Sequence, residues 1–328
     1  MTRRSSRNGA VCASVLVLVV TLVSCSESGN SSAEQSFLVV VEEAIAPQLQ
    51  DELEQYVETL SAEQVAVYIE PWASGTAEDL RALLFDYVDA RGIAGALLVG
   101  SLPAVWYEQE AFNVQEEFPF DIYFQDRDAS WGDADDDGLF DSHTDLELHI
   151  YTTRLNGTVE ELEAYFDRVE RYRTVGPLVD VSAFVFIDDD WSEGDNSESA
   201  PLEGAYSSVE VVREIADSTR ANYLARLTDR GAEFIHQKVQ SSPWSLEFQE
   251  PGGRSPLTRQ EIIDENLKVS FINLFNCSAS RFTEPNLAEA YTVGTDYGLA
   301  SVGSTKTGAV FDSTLLHEHL AARESWGE

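Results

Sequence analysis

The stretch FINLFNCSASRF, residues 271–282, sets Cys277 directly after an apolar run that reads as a strand buried on both faces. A thiol in that place is either a small buried hydrophobe or a reactive group, and the residue type allows both readings. A second segment, QSSPW at 240–244, follows another apolar run, EFIHQKV. In open parallel sheets ligand-binding groups collect beyond the carboxyl ends of the strands, so Cys277 and residues 240–244 are the first candidates for a shared cleft. A cysteine that attacks a carbonyl carbon works best beside a group that takes its proton.

A third pattern concerns hard cations. Asp133, Asp135, Asp137, Gly138 and Asp141 place carboxylates at alternating positions around a glycine that permits a sharp turn, which is how a short loop wraps Ca2+. The run resembles the first half of an EF-hand or dockerin loop. Thr144 stands where the closing glutamate belongs, although Asp145 follows and Asp126 and Asp128 precede. In so acidic a chain the same spacing also describes a solvated loop. His143 and His149 lie nearby, but two imidazoles without cysteine do not make a zinc site.

The elements that must position these residues alternate. FLVVVEEA (37–44), VAVYIEPW (65–72) and IAGALLVG (93–100) read as strands, with further strands expected at 119–125, 147–153, 182–188, 232–240, 269–276 and 298–303. Helices are expected at 46–63, 158–173, 219–230, 258–267, 286–294 and 313–324. In TAEDLRALLFDYVDARG, helical spacing of Leu80, Leu84 and Val88 is bounded by Thr76 as N-cap and Gly92 past the end. The alternation predicts an α/β fold, a mostly parallel sheet with helices on both faces. The domain is expected over 37–328, with room for two subdomains divided near 175–180.

The chain has 328 residues with 21 basic and 58 acidic side chains, a formal charge of −37. Such a surface repels nucleic acid, whose phosphates need clustered cations, and attracts divalent cations. The N-terminus stands apart. Arg3, Arg4 and Arg7 precede an apolar run too short to span a bilayer, as in a signal peptide over residues 1–25. Leu22-Val23-Ser24-Cys25 resembles a bacterial lipobox, in which Cys25 is lipidated; a secretory signal with a chance cysteine is the alternative. The polar segment 26–36 then reads as a tether, and the protein is expected to be exported and held on a bacterial membrane, at the outer membrane or the cell surface. With Cys12 lost in the signal and Cys25 lipidated, Cys277 has no intrachain disulfide partner.

Seven blocks in one order carry a family resemblance: ALLVGSLPAVWYE (96–108), FPFDIYFQDRDASWGDADDDGLFDSH (118–143), TTRL (152–155), DDDW (188–191), EFIHQKVQSSPW (233–244), FNCSASRF (275–282) and DYGLASVGSTKTG (296–308). Over about residues 90–310 the chain resembles the gingipain-type cysteine peptidase domain of the caspase-like clan. The resemblance implies a caspase-like three-layer α/β sandwich, protein or peptide substrates, export, and frequently bound calcium. Relatives with this domain usually continue further, and STLLHEHLAARESWG reads as a helix at Glu328, so a truncated C-terminus is expected.

Carried over by residue, the family's nucleophile falls on Cys277, and backbone N–H groups near Cys277 and Ser241 become oxyanion candidates. The start of the helix after Pro285 would add a favourable field at the thiol. The family's general-base histidine falls on Gln240, within Gln240-Ser241-Ser242-Pro243-Trp244-Ser245-Leu246. An amide takes no proton from a thiol at neutral pH. His236 lies four residues back along the strand, about 13 Å at ~3.3 Å per residue, and reads as a histidine satisfied within the sheet. His317 and His319 stand two apart on a helix and point to different faces. Two readings remain open: a lipid-anchored cysteine peptidase with Cys277 as nucleophile, and an inactive homologue serving as a calcium-binding surface or scaffold module.

Overall fold

Phe37, Leu38, Val39, Val40 and Val41 are all fully buried, as expected of a strand with neighbours on both sides and cover on both faces. In the computed structural model, which describes residues 35–111, 113–192, 199–308 and 313–322, this run forms the centre of a four-stranded parallel sheet. The expected signal segment, Cys25 and the expected tether up to residue 34 lie outside the described residues.

The first half of the chain runs β1 (Gln35–Glu42), α1 (Gln50–Ala62), β2 (Val65–Trp72), α2 (Ala77–Arg91), β3 (Ile93–Val99), β4 (Val105–Ala111), β5 (Val114–Phe120), α3 (Ile122–Gln125), β6 (Trp131–Gly132), β7 (Ser142–His143), β8 (Tyr151–Leu155) and α4 (Val159–Thr174). Its sheet has the order β2-β1-β3-β8, all parallel. The second half runs β9 (Ala183–Ile187), a 3-10 turn (Asp189–Trp191), α5 (Leu202–Ala205), β10 (Val209–Val212), α6 (Arg220–Asp229), β11 (Ala232–Lys238), β12 (Gln240–Ser241), β13 (Ser245–Glu250), β14 (Gly253–Thr258), α7 (Arg259–Asp264), β15 (Val269–Phe275), α8 (Leu287–Thr292), β16 (Ala300–Gly303) and α9 (Ser313–Ala322). A second parallel sheet orders these strands β10-β9-β11-β15-β16.

Three apolar clusters hold the layers together. One joins both sheets to α1 and α4 through Val39, Val41, Val185, Ile187, Leu60 and Phe166. Another covers the opposite face of the first sheet with α2 and the β4–β5 hairpin, through Leu38, Val40, Leu84 and Phe118. The third covers the opposite face of the second sheet with α6, α7 and α8, through Phe184, Ile272, Leu227 and Leu287. Alternate residues of β1 thus enter different clusters, which follows from the period of two along a strand. Each fully buried Leu, Val or Phe contributes roughly 1.5–3 kcal/mol.

Local signals set several boundaries. Thr76 caps α2 and exchanges hydrogen bonds with Asp79, while Gly92 ends the helix at φ +65°, a conformation that costs glycine nothing. Three expectations change. The strand begins at Gln35, and Ser36 is buried with its hydroxyl donating to Arg91 O, so the tether ends sooner than 36. Residues 119–125 divide into the end of β5 and the short α3, because β5 pairs backwards with β4 in a hairpin. Two sheets form where one was read, since β8 and β16 each close an edge of their own sheet.

Glu233, on β11, is fully buried and accepts the Tyr172 hydroxyl at 2.8 Å. Burial pushes its carboxyl up to about 7. A carboxyl raised in the folded state is satisfied below its unfolded value and penalised once it ionises, so this site costs stability progressively from about pH 4.5 to pH 7. Glu233→Gln is expected to raise the melting temperature at pH 8, by an amount worth on the order of 2 kcal/mol, and to leave it nearly unchanged at pH 4. Thermal unfolding followed by circular dichroism across that range checks it.

Candidate functional site

β11 and β15 lie side by side and in parallel, with Lys238 opposite Phe275. Both chain exits therefore leave the sheet at the same edge, one toward Gln240 and the other toward Cys277. A chain of buried polar groups holds this edge. Tyr291 and Tyr223 share a hydroxyl contact of 2.8 Å, and the Tyr223 hydroxyl donates to Gln237 Oε1. Gln237 Nε2 donates to Asn276 Oδ1 at 3.2 Å, and Asn276 Nδ2 donates to Val239 O. Residues 239 and 276 are thus bound to each other one step before the candidate site begins.

Cys277 is half-buried and unpaired. Ser241 Oγ donates to its carbonyl oxygen at 2.5 Å, joining the 240–241 segment to the cysteine's own peptide. That hydroxyl is committed, so a contribution of Ser241 to oxyanion binding falls to its backbone N–H. Among the described residues, the hydrogen-bond partner of the sulfur is the N–H of Gly308 at 3.3 Å. Gln240 is half-buried in β12 and stands directly opposite Glu247 of β13.

Two left-handed backbone positions flank the thiol. Ser278, the next residue, holds φ at +53°, and Gly308 holds +76°. A non-glycine residue in the left-handed region costs about 1–3 kcal/mol and persists only where its surroundings impose it. Here two loops impose it: Ser278 N–H donates to Lys306 O and Ser280 N–H to Ser304 O, both at 2.9 Å.

The histidines lie elsewhere. His236 is fully buried in β11, its Nδ1 3.0 Å from Asn273 Nδ2, and its ring meets that of His317, also fully buried, at 4.9 Å. His319 is half-buried on α9. His143 Nδ1 contacts Thr144 O at 2.7 Å, and His149 approaches Asp128 at 3.5 Å. The helix expected from Pro285 onward is short: α8 has six residues, starts at Leu287, is capped by Asn286 in exchange with Glu289, and its Ala288 N–H donates to Ala279 O at 3.0 Å.

Three cationic side chains stand on the segments that border this edge. Of three lysines in the chain, Lys238 is 7% exposed with its ammonium 4.8 Å from the Phe275 ring, and Lys306 lies on the facing loop. Arg281 pairs with Glu284 at 3.0 Å and donates to Glu117 O at 2.8 Å.

Several carboxylates of the acidic loop accept backbone N–H groups, Asp137 from Leu139 at 2.9 Å among them. Asp133 accepts backbone N–H groups of Asp136, Asp137 and Gly138 at 2.7, 3.2 and 2.8 Å, and these bonds hold its carboxyl below the usual range. Asp141 accepts the N–H of Ala134 at 3.0 Å and the Ser142 hydroxyl at 2.8 Å. Asp135 and Asp137 also meet Glu108 of β4, one carboxylate oxygen of each lying within 4.8 Å of the others. The structure therefore groups two of the four expected ligands with a third that the loop's spacing could not reveal. Glu108 is brought in because Phe140 N–H donates to Trp106 O and Glu108 N–H to Phe140 O.

No protein-family profile matches the chain, and no curated protein does. Among solved structures it is similar to gingipain R, an Arg-specific cysteine proteinase, with a TM-score of 0.60 and 13% identity over 90% of this chain and 69% of that one. It is equally similar to the complex of the pro- and mature domains of RgpB from Porphyromonas gingivalis, with a TM-score of 0.60 and 14% identity over 88% of this chain and 68% of that one. The chain has a gingipain-like, caspase-type α/β fold.

A half-buried thiol at a strand end is within reach of a small reagent. Iodoacetamide is expected to label Cys277 in the native protein; labelling that begins only on unfolding, read by mass spectrometry, would contradict the exposure described.

Proposed function

We propose that this protein is an exported, lipid-anchored member of the gingipain-like cysteine peptidases, acting on protein or peptide substrates through Cys277, with turnover limited by Gln240. The observation that supports this reading is the hydrogen bond from Ser241 Oγ to the Cys277 carbonyl, which ties the residue next to Gln240 to the cysteine's own peptide. Trp244, 57% exposed in the turn beyond Ser241, offers an apolar surface for a peptide at the rim.

In the proposed reaction the Cys277 sulfur attacks the scissile carbonyl carbon, the amine departs with a proton, and water then cleaves the thioester. Gln240 can donate and accept hydrogen bonds but neither removes the thiol proton nor supplies one to the amine. Loss of such a group typically costs about 10²–10⁴ in rate, and cysteine is the nucleophile least weakened by it. His236, buried and committed to Asn273, is no substitute. This supports the second reading, a peptide-binding surface module without turnover.

One substitution separates the two. Gln240→His, with Glu247 opposite to orient the ring, is expected to raise peptide hydrolysis at least tenfold, and Cys277→Ala to remove the gain. Hydrolysis unchanged by Gln240→His would leave the cleft as a binding site alone.

Calcium is the proposed cation, held by Glu108, Asp135 and Asp137 with water completing the oxygen shell. It would draw the acidic loop onto β4 and relieve repulsion among three carboxylates. Calcium is expected to raise the melting temperature and EGTA to lower it, and Glu108→Gln or Asp135→Asn to abolish the difference. A calcium response that survives both substitutions would refute this ligand set.

A further inference from the structure

The β4–β5 hairpin belongs to the first sheet's layer, yet it touches the loops that surround Cys277. Glu116 Oε1 accepts the N–H of Thr307 at 2.6 Å, and the next peptide along, Gly308, donates its N–H to the thiol sulfur at 3.3 Å. Glu117 O accepts from Arg281, and the Arg281 guanidinium lies 5.4 Å from the centre of the Trp106 ring. The second Glu116 oxygen, Oε2, is shut away from solvent without a hydrogen-bond partner. A buried carboxylate oxygen left in that state is costly, and such groups call for an explanation beyond packing.

We propose that Glu116 is a positioning residue for Cys277: by holding Thr307 it turns the Gly308 N–H onto the sulfur. This rests on the reading of Cys277 as the reactive group. A donor aimed at sulfur favours the anionic, nucleophilic form and sets the side chain's direction. It is supplied by backbone, so it needs no histidine, and it fits the left-handed backbone of Gly308. Gly308 must adopt φ +76° to present its N–H, and Ser278 is held at +53° by Lys306 O on the same loop. The acceptor oxygen of Glu116 performs the task, not its charge, because a negative charge beside a thiolate is unfavourable.

The test is the rate of iodoacetamide alkylation of Cys277 at fixed pH 7 in the folded, purified chain, with melting temperature recorded for each variant. Glu116→Ala is expected to slow alkylation about three- to tenfold, the loss of one directed hydrogen bond. Glu116→Gln keeps the acceptor and is expected to restore at least the native rate. Gly308→Ala, strained at this backbone conformation, should slow the reaction similarly, and the double variant should be no slower than the worse single one, because both act through one contact. If Glu116→Ala does not fold, Gly308→Ala against the native protein decides alone. Native-like rates in Glu116→Ala and Gly308→Ala, or a Gln variant as slow as the Ala variant, would overturn this role while leaving Cys277 reactive. A Cys277 that resists alkylation in every folded variant would overturn the proposed function as well.

Discussion

The pairing of β11 with β15 is the constraint on which the rest of the site depends. Lys238 opposes Phe275, so both strands deliver their exits to one edge, and the chain that follows each has a short reach to the other. A slip of one residue would turn every side chain on that strand to the opposite face. The buried line from Tyr291 through Tyr223, Gln237 and Asn276 to Val239 guards against such a slip, since its members find partners in a single register. Buried polar groups of this kind are expensive unless fully paired, which makes them selective for the arrangement that pairs them.

Around this edge the protein brings together left-handed backbone at Ser278, a glycine at Gly308 whose N–H meets sulfur, and a carboxylate oxygen on Glu116 without a hydrogen-bond partner. Strain of that sort is stored where neighbours over-determine the backbone. The neighbours here come from three distant stretches of chain: the β4–β5 hairpin, the loop after β15 and the loop after β16. Their convergence is held in part by Arg281, which pairs with Glu284 and donates to Glu117 O, and by Glu116, which accepts from Thr307.

The acidic loop is mechanically continuous with the same hairpin. Phe140 bonds to both Trp106 and Glu108, and the Tyr107 hydroxyl donates to Asp141 O at 2.8 Å. The loop's own aspartates serve partly as turn formers: Asp133 satisfies three backbone donors and thereby shapes the loop that carries Asp135 and Asp137.

The sequence by itself determined what depends on neighbours in the chain. Apolar runs and alternating helices set the parallel α/β architecture, Thr76 and Gly92 bounded α2, and Cys277 and Gln240 stood out by their places just past strands. Only the tertiary structure decided that there are two sheets, that 114–120 folds back as a hairpin strand, and that Glu108 joins Asp135 and Asp137. The same holds for Glu116 and Gly308, whose partners lie far away along the chain. The physical reason is range: hydrophobic period and capping act within a few residues, whereas which edges, loops and carboxylates meet is settled by packing between layers, and no local pattern records it.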